Sequence, residues 1–186
     1  MIGGSNLLKH AAERWEGGEP MEAGRLIYEN LPNDVRPGWA ARILRLVLAH
    51  SGINDRPWWR RLLDYASGGV PFPSQAVGHV LQIADTPSDW TKAHRAFSAV
   101  RDEALRFEEL QRRGCLTEQQ SLYQRVLLLA ELVAKVTYNA SHPIDPFDED
   151  SGWWIASELR VFVDQYWPTD EAFGEAAWKA LTSRDA

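Results

Sequence analysis

Between residues 117 and 139 the chain carries a helix that water cannot surround. Thr117-Glu118-Gln119-Gln120 reads as a capping box, the Thr hydroxyl and the Gln side chain each satisfying a backbone N–H at the helix start. At about 100° per residue, Gln124, Glu131, Lys135 and Asn139 form one narrow polar stripe. Leu122, Val126, Leu127, Leu129, Leu132, Val133 and Val136 cover the rest of the circumference. An element apolar on most sides must be enclosed by others, so the chain needs several further elements packed around it.

The remaining sequence supplies them with helical periodicity and almost no strand signal. Asn6–Trp15 reads as a first helix stopped by Gly17-Gly18, and Pro20 opens a second that runs to Leu31. Pro37 starts a third, ended by Gly52; Asp55 caps a fourth, closed by Gly68-Gly69; a fifth covers 74–84. Ser88 caps a long sixth whose stripe is Ala93, Phe97, Val100, Ala104 and Phe107. After the capped helix 117–139 comes the acidic loop SHPIDPFDED, then an eighth helix, Ser151–Tyr166, and a ninth capped by Thr169. The expectation is all-α: one domain of 186 residues, an antiparallel bundle of eight to nine helices around a central helix 117–139. If it divides, it does so near residue 70, leaving N-terminal hairpins 1–70 and a main bundle 71–186.

Charge and cysteine content narrow the function classes. Twenty basic and 26 acidic residues leave a net charge of −6, against the basic excess that nucleic-acid binding requires. The one cysteine, Cys115, can form neither an internal disulfide nor a multi-thiolate metal site. No basic n-region precedes an apolar core at the N-terminus, and the longest apolar run, 126–138, is interrupted by Glu131 and Lys135. The expectation is therefore a cytoplasmic protein with no membrane partner. No P-loop, nucleophile elbow, dinucleotide glycine fingerprint or HExxH motif occurs, and no cofactor is expected.

Two short patterns carry family resemblances. Gly18-Glu19-Pro20-Met21-Glu22-Ala23, with Leu31-Pro32 ending the second helix, resembles the turn of one tetratricopeptide unit over residues 11–32. Trp15 stands out of register with that family's tryptophan, and no second copy follows at a 34-residue period. Arg45-Leu46-Val47-Leu48-Ala49-His50 resembles the R-x4-H spacing of helical HEPN ribonucleases, with Leu46 where that family has a polar residue. The resemblance implies that Arg45 and His50 would act on a ribose hydroxyl and its phosphate. Helical phase opposes this, setting His50 beside Trp39, Ile43 and Leu46 and Arg45 on the outer face.

Two further segments offer binding chemistry. Asp145, Asp148, Glu149 and Asp150 are hard oxygen ligands within six residues, suited to Ca²⁺ or Mg²⁺, but the EF-hand spacing fails at Gly152. Capping of the eighth helix by Asp150 or Ser151 accounts for the same carboxylates. That helix, WWIASELRVFVDQYW, is apolar almost all round: Ile155, Leu159, Phe162 and Tyr166 define one face and Trp153, Trp154 and Val161 fall on the other, so it either lies between two layers or presents an apolar surface to a partner. Arg56-Pro57-Trp58-Trp59-Arg60-Arg61 mixes cations with aromatics but reads as an ordinary surface helix. Nine tryptophans in a chain with no catalytic constellation point to protein–protein interaction. The expected function is an adaptor or immunity-type binder acting through Trp153, Trp154, Val161 and Asp148, with another protein or a second copy as partner. The alternative is a HEPN-like ribonuclease or a divalent-metal enzyme. Of the tryptophans, Trp15, Trp39, Trp58, Trp59 and Trp90 are expected on apolar faces.

Overall fold

A computed structural model describes residues 4–52, 75–87, 89–114, 116–142 and 147–183, and every described element is helical. The helices are α1 (Gly4–Glu16), α2 (Pro20–Tyr28), α3 (Arg36–Ser51), α4 (Gln75–Asp85), α5 (Trp90–Arg112), α6 (Glu118–Ser141), α7 (Ser151–Val161) and α8 (Glu171–Thr182). One π-helical turn, Phe162–Tyr166, continues α7. The helix expected after Asp55, with Trp58, Trp59 and the Arg56–Arg61 segment, lies outside the described residues, as do Cys115 and Asp145.

Local chemistry explains most boundaries. Pro20 occupies the first turn of α2, and Gly18 makes the preceding turn at φ 77°. Gly52 closes α3 in the left-handed region at φ 59°. The capping box opens α6, with the Gln120 N–H donating to Thr117 Oγ1 at 3.3 Å and the Thr117 N–H to Gln120 Oε1 at 2.8 Å. Two caps differ from expectation. Asp89 caps α5, accepting from the N–H groups of Thr91 and Lys92, while the expected cap Ser88 lies outside the described residues; Asp170 rather than Thr169 caps α8, accepting from Phe173 N–H. In each case the neighbouring carboxylate brings a full negative charge to the positive helix end, which a hydroxyl does not.

α6 packs against α3, α4, α5 and α7. Its Tyr123, Val126, Leu127, Leu129, Ala130, Val133, Ala134 and Val136 are fully enclosed. Buried side chains from all eight helices join in one contiguous cluster, from Ala11 and Trp15 to Phe173 and Leu181. The Trp39 indole N–H donates to Leu181 O at 2.8 Å, tying α3 to the end of α8. Trp178 packs its ring 5.9 Å from that of Trp15. α1 and α2 form the hairpin that the tetratricopeptide resemblance implies, and α2 then lies on α7, where Gly24 meets Ala156, 132 residues further along the chain.

The polar stripe of α6 is covered rather than solvated. Glu131 is buried and takes Lys135 Nζ at 3.5 Å and Arg101 Nη1 at 3.4 Å. Lys135 continues to Asp148 at 2.9 Å, and Asn139 Oδ1 accepts from the Phe147 N–H at 2.7 Å. Each polar group withdrawn from water has a partner, so the stripe becomes the seam between α6, α5 and the turn before α7. Trp90 departs from expectation. It is 45% exposed, as the first residue of α5 with no earlier helical turn beside it. No helix of the described residues is long and apolar enough to cross a membrane.

Candidate functional site

Two glycines place the tryptophan pair. A Cβ on Gly24 of α2 would stand 2.6 Å from Ala156 Cβ and 2.9 Å from Trp153 O, and one on Gly152 would stand 2.3 Å from the Tyr28 ring. α2 and α7 therefore meet almost backbone to backbone, and the seam has no room for an indole. Trp153 lies half-buried along its edge, between a hollow shared with Tyr28, Arg36 and Glu149 and another shared with Pro20 and Met21. Trp154, one residue and about 100° further round, faces outward and is 43% exposed. Its indole N–H donates to Asp150 Oδ2 at 2.9 Å, which holds the ring against the start of its own helix. Val161, seven residues on, shares that face about 10 Å along the axis and is half-buried.

The acidic turn supports this arrangement rather than a metal. Asp150 occupies the N-cap position of α7 without a side-chain bond to the backbone, since its carboxylate serves Trp154. This corrects the capping role expected for its side chain. Ser151, the other expected cap, is buried and donates from Oγ to Asp148 O at 2.7 Å. The Asp148 carboxylate is held by Lys135, and Glu149 is exposed. Among the described residues no group of three His, Cys, Asp or Glu side chains could hold a metal ion, and Asp145 lies outside those residues.

Arg45 and His50 engage different carboxylates. Arg45 Nη2 meets both Asp85 oxygens, at 2.7 and 2.6 Å, on the α4 side. His50 Nε2 lies 3.0 Å from Asp170 Oδ2 on the α8 side, with its ring 4.5 Å from those of Trp167 and Phe173. A phosphate approaching one would not meet the other while these pairs hold.

One polar constellation escaped the sequence reading. Arg125 Nη1 bonds both oxygens of Glu158, at 3.1 and 3.2 Å, and Glu158 is only 14% exposed. Burial pushes the Glu158 carboxyl up from its usual range, against the pull of Arg125, and burial likewise raises the Tyr166 phenol. Arg125, Tyr166, Gln165 and Gln124 line a small polar cleft. The π turn brings this about: its bond from Trp167 N–H to Phe162 O takes one extra residue, so positions beyond it rotate out of phase with the α-helical stripe. A strict 3.6-residue period groups Tyr166 with Ile155, Leu159 and Phe162. Glu158 on a largely apolar helix was the available signal, without a visible partner 33 residues away.

Comparison with known proteins finds no matching family model, curated protein or solved structure.

Proposed function

We propose that the chain is a non-catalytic helical interaction protein that docks a partner through the outer face of α7, with Trp154 as anchor. The observation that carries this reading is the exposed Trp154 ring, fixed by Asp150 before any partner arrives. A tryptophan already held in one orientation loses little conformational freedom on binding, the condition under which it contributes most at an interface. Trp153, Val161, Asp148 and Glu149 complete the patch. Exposed carboxylates beside an indole suit a partner segment carrying Lys or Arg, whose stem lies on the ring while its cation meets the acids. A single cysteine and a net charge of −6 fit a reducing compartment and a protein partner.

The test compares the wild-type chain with Trp154→Ala and Glu149→Lys, both at exposed positions, after circular dichroism has matched their helicity. A stoichiometric partner is expected from native lysate with wild type and is lost with each variant. Sedimentation at micromolar concentration reads self-association through the same face. A monomer that captures no stoichiometric partner, or a partner retained equally by Trp154→Ala, overturns the reading.

A further inference from the structure

A second site lies away from α7. Residues of α4 and α5, with Thr137 of α6, line a cleft of about 410 Å³, within the usual range of roughly 300–1,000 Å³ for small-molecule sites. Its floor is apolar: Ala96 is buried, Ile83 half-buried, and Thr137 from α6 turns its hydroxyl away to Val133 O at 2.8 Å. Its rim carries the cations Lys92 and Arg95, with the His79 imidazole beside them.

Arg95 is the informative member. Each of the other described arginines engages a partner group: Arg14 meets Glu19, Arg25 meets Glu22, Arg36 meets Tyr28, Arg45 meets Asp85, Arg101 meets Glu131, Arg112 and Arg113 meet Glu109, Arg125 meets Glu158, Arg160 meets Asp164, and Arg42 and Arg106 are also engaged. Among the described residues Arg95 meets no ion pair or hydrogen bond, in a chain with six more acidic than basic side chains. Among the described residues the rim's one carboxylate is Asp89, which caps α5 and lies 3.8 Å from Lys92 Nζ, so it offsets Lys92. Beyond the Lys92–Asp89 pair, the Arg95 guanidinium stands over an apolar floor with no counter-charge among the described residues.

We propose that this cleft binds a small organic monoanion, a carboxylic acid with an aliphatic or aromatic body. Arg95 takes the carboxylate through its planar fork, and Ile83 and Ala96 take the apolar body. One unmatched charge suits a monocarboxylate better than a phosphate dianion, which Asp89 would repel.

Octanoate is the probe, titrated into the full chain by calorimetry and thermal melting, with octylammonium, 1-octanol and inorganic phosphate as comparators. Octanoate is expected to saturate one site and raise Tm, since a ligand of the native state must stabilise it. Arg95→Gln, at an exposed position, is expected to weaken octanoate binding about tenfold or more, the worth of a charge-assisted hydrogen bond, without lowering Tm in the absence of ligand. Octylammonium and 1-octanol are expected to bind at least tenfold more weakly than octanoate. The proposal fails if octanoate does not saturate, if Arg95→Gln binds it equally, if octylammonium binds as well, or if phosphate alone raises Tm as much.

Discussion

Replacing Gly152 by alanine tests whether α2 and α7 touch as closely as the placement of Trp153 and Trp154 requires. The new Cβ would stand 2.3–2.4 Å from three atoms of the Tyr28 ring, which must withdraw to at least 3.4 Å for ordinary contact. That ring is 4% exposed, with the Trp39 ring 5.8 Å from it and the Arg36 guanidinium 4.4 Å above it. A side chain confined on several sides cannot yield freely, so overpacking costs about 1–3 kcal/mol. Alanine in place of glycine returns roughly 0.5–1 kcal/mol in helix propensity, and less in a first turn such as this. The clash wins, with a net loss of about 1–2 kcal/mol and a fall in Tm of about 2–8 °C for a domain of this size. Gly174→Ala is the internal control: it is also helical, and nothing stands within 4 Å of its added Cβ. There the propensity gain stands alone, and Tm should rise by about 1–4 °C. Melting both variants by circular dichroism decides the matter. A Gly152→Ala protein melting at or above wild type would mean that the seam has slack, and the account of why Trp153 lies at its edge would be wrong.

Three other perturbations probe separate features. Asp170→Ala removes the cap of α8 and the carboxylate beside His50, and should cost about 1–2 kcal/mol in denaturant unfolding, whereas Thr169→Ala should stay within about 0.5 kcal/mol. Trp39→Phe deletes the fully buried indole N–H bonded to Leu181 O, and should cost about 2–4 kcal/mol by the same assay. Glu158 titrates higher folded than unfolded, so the native state binds more protons in the window above 4.5, and stability falls as pH rises through it. The Tm of wild type minus that of Glu158→Gln should therefore decline from about pH 4 to about pH 7, and a rising difference would refute the burial of that carboxylate.

Helix identity was legible because its causes are local. Pro20, the Thr117 capping box and Gly52 each act within a few residues, and the structure bears all three out. The two displaced caps, Asp89 and Asp170, are a choice between adjacent acceptors that only the realised backbone angles settle. The i,i+4 pairing of Glu131 with Lys135 was readable for the same reason, whereas Arg101 and Asp148, which complete it, come from elsewhere in the chain. Trp90 was placed inward by period alone, which ignores how little covers the first residue of a helix.

The sequence alone determined that this chain is helical, where most of its helices begin, and that residues 117–139 must be covered, because propensity, capping and apolar periodicity are short-range properties. Tertiary structure decided that Gly24 and Gly152 close a seam, that Trp153 lies along it while Trp154 faces out, and that Arg125 finds Glu158 past a π turn. It also decided that Arg95 lines a cleft beside Ile83 and Ala96, where no carboxylate among the described residues pairs with it. These depend on which faces meet across long stretches of chain, and a helical period says which residues share a face but not what that face will touch.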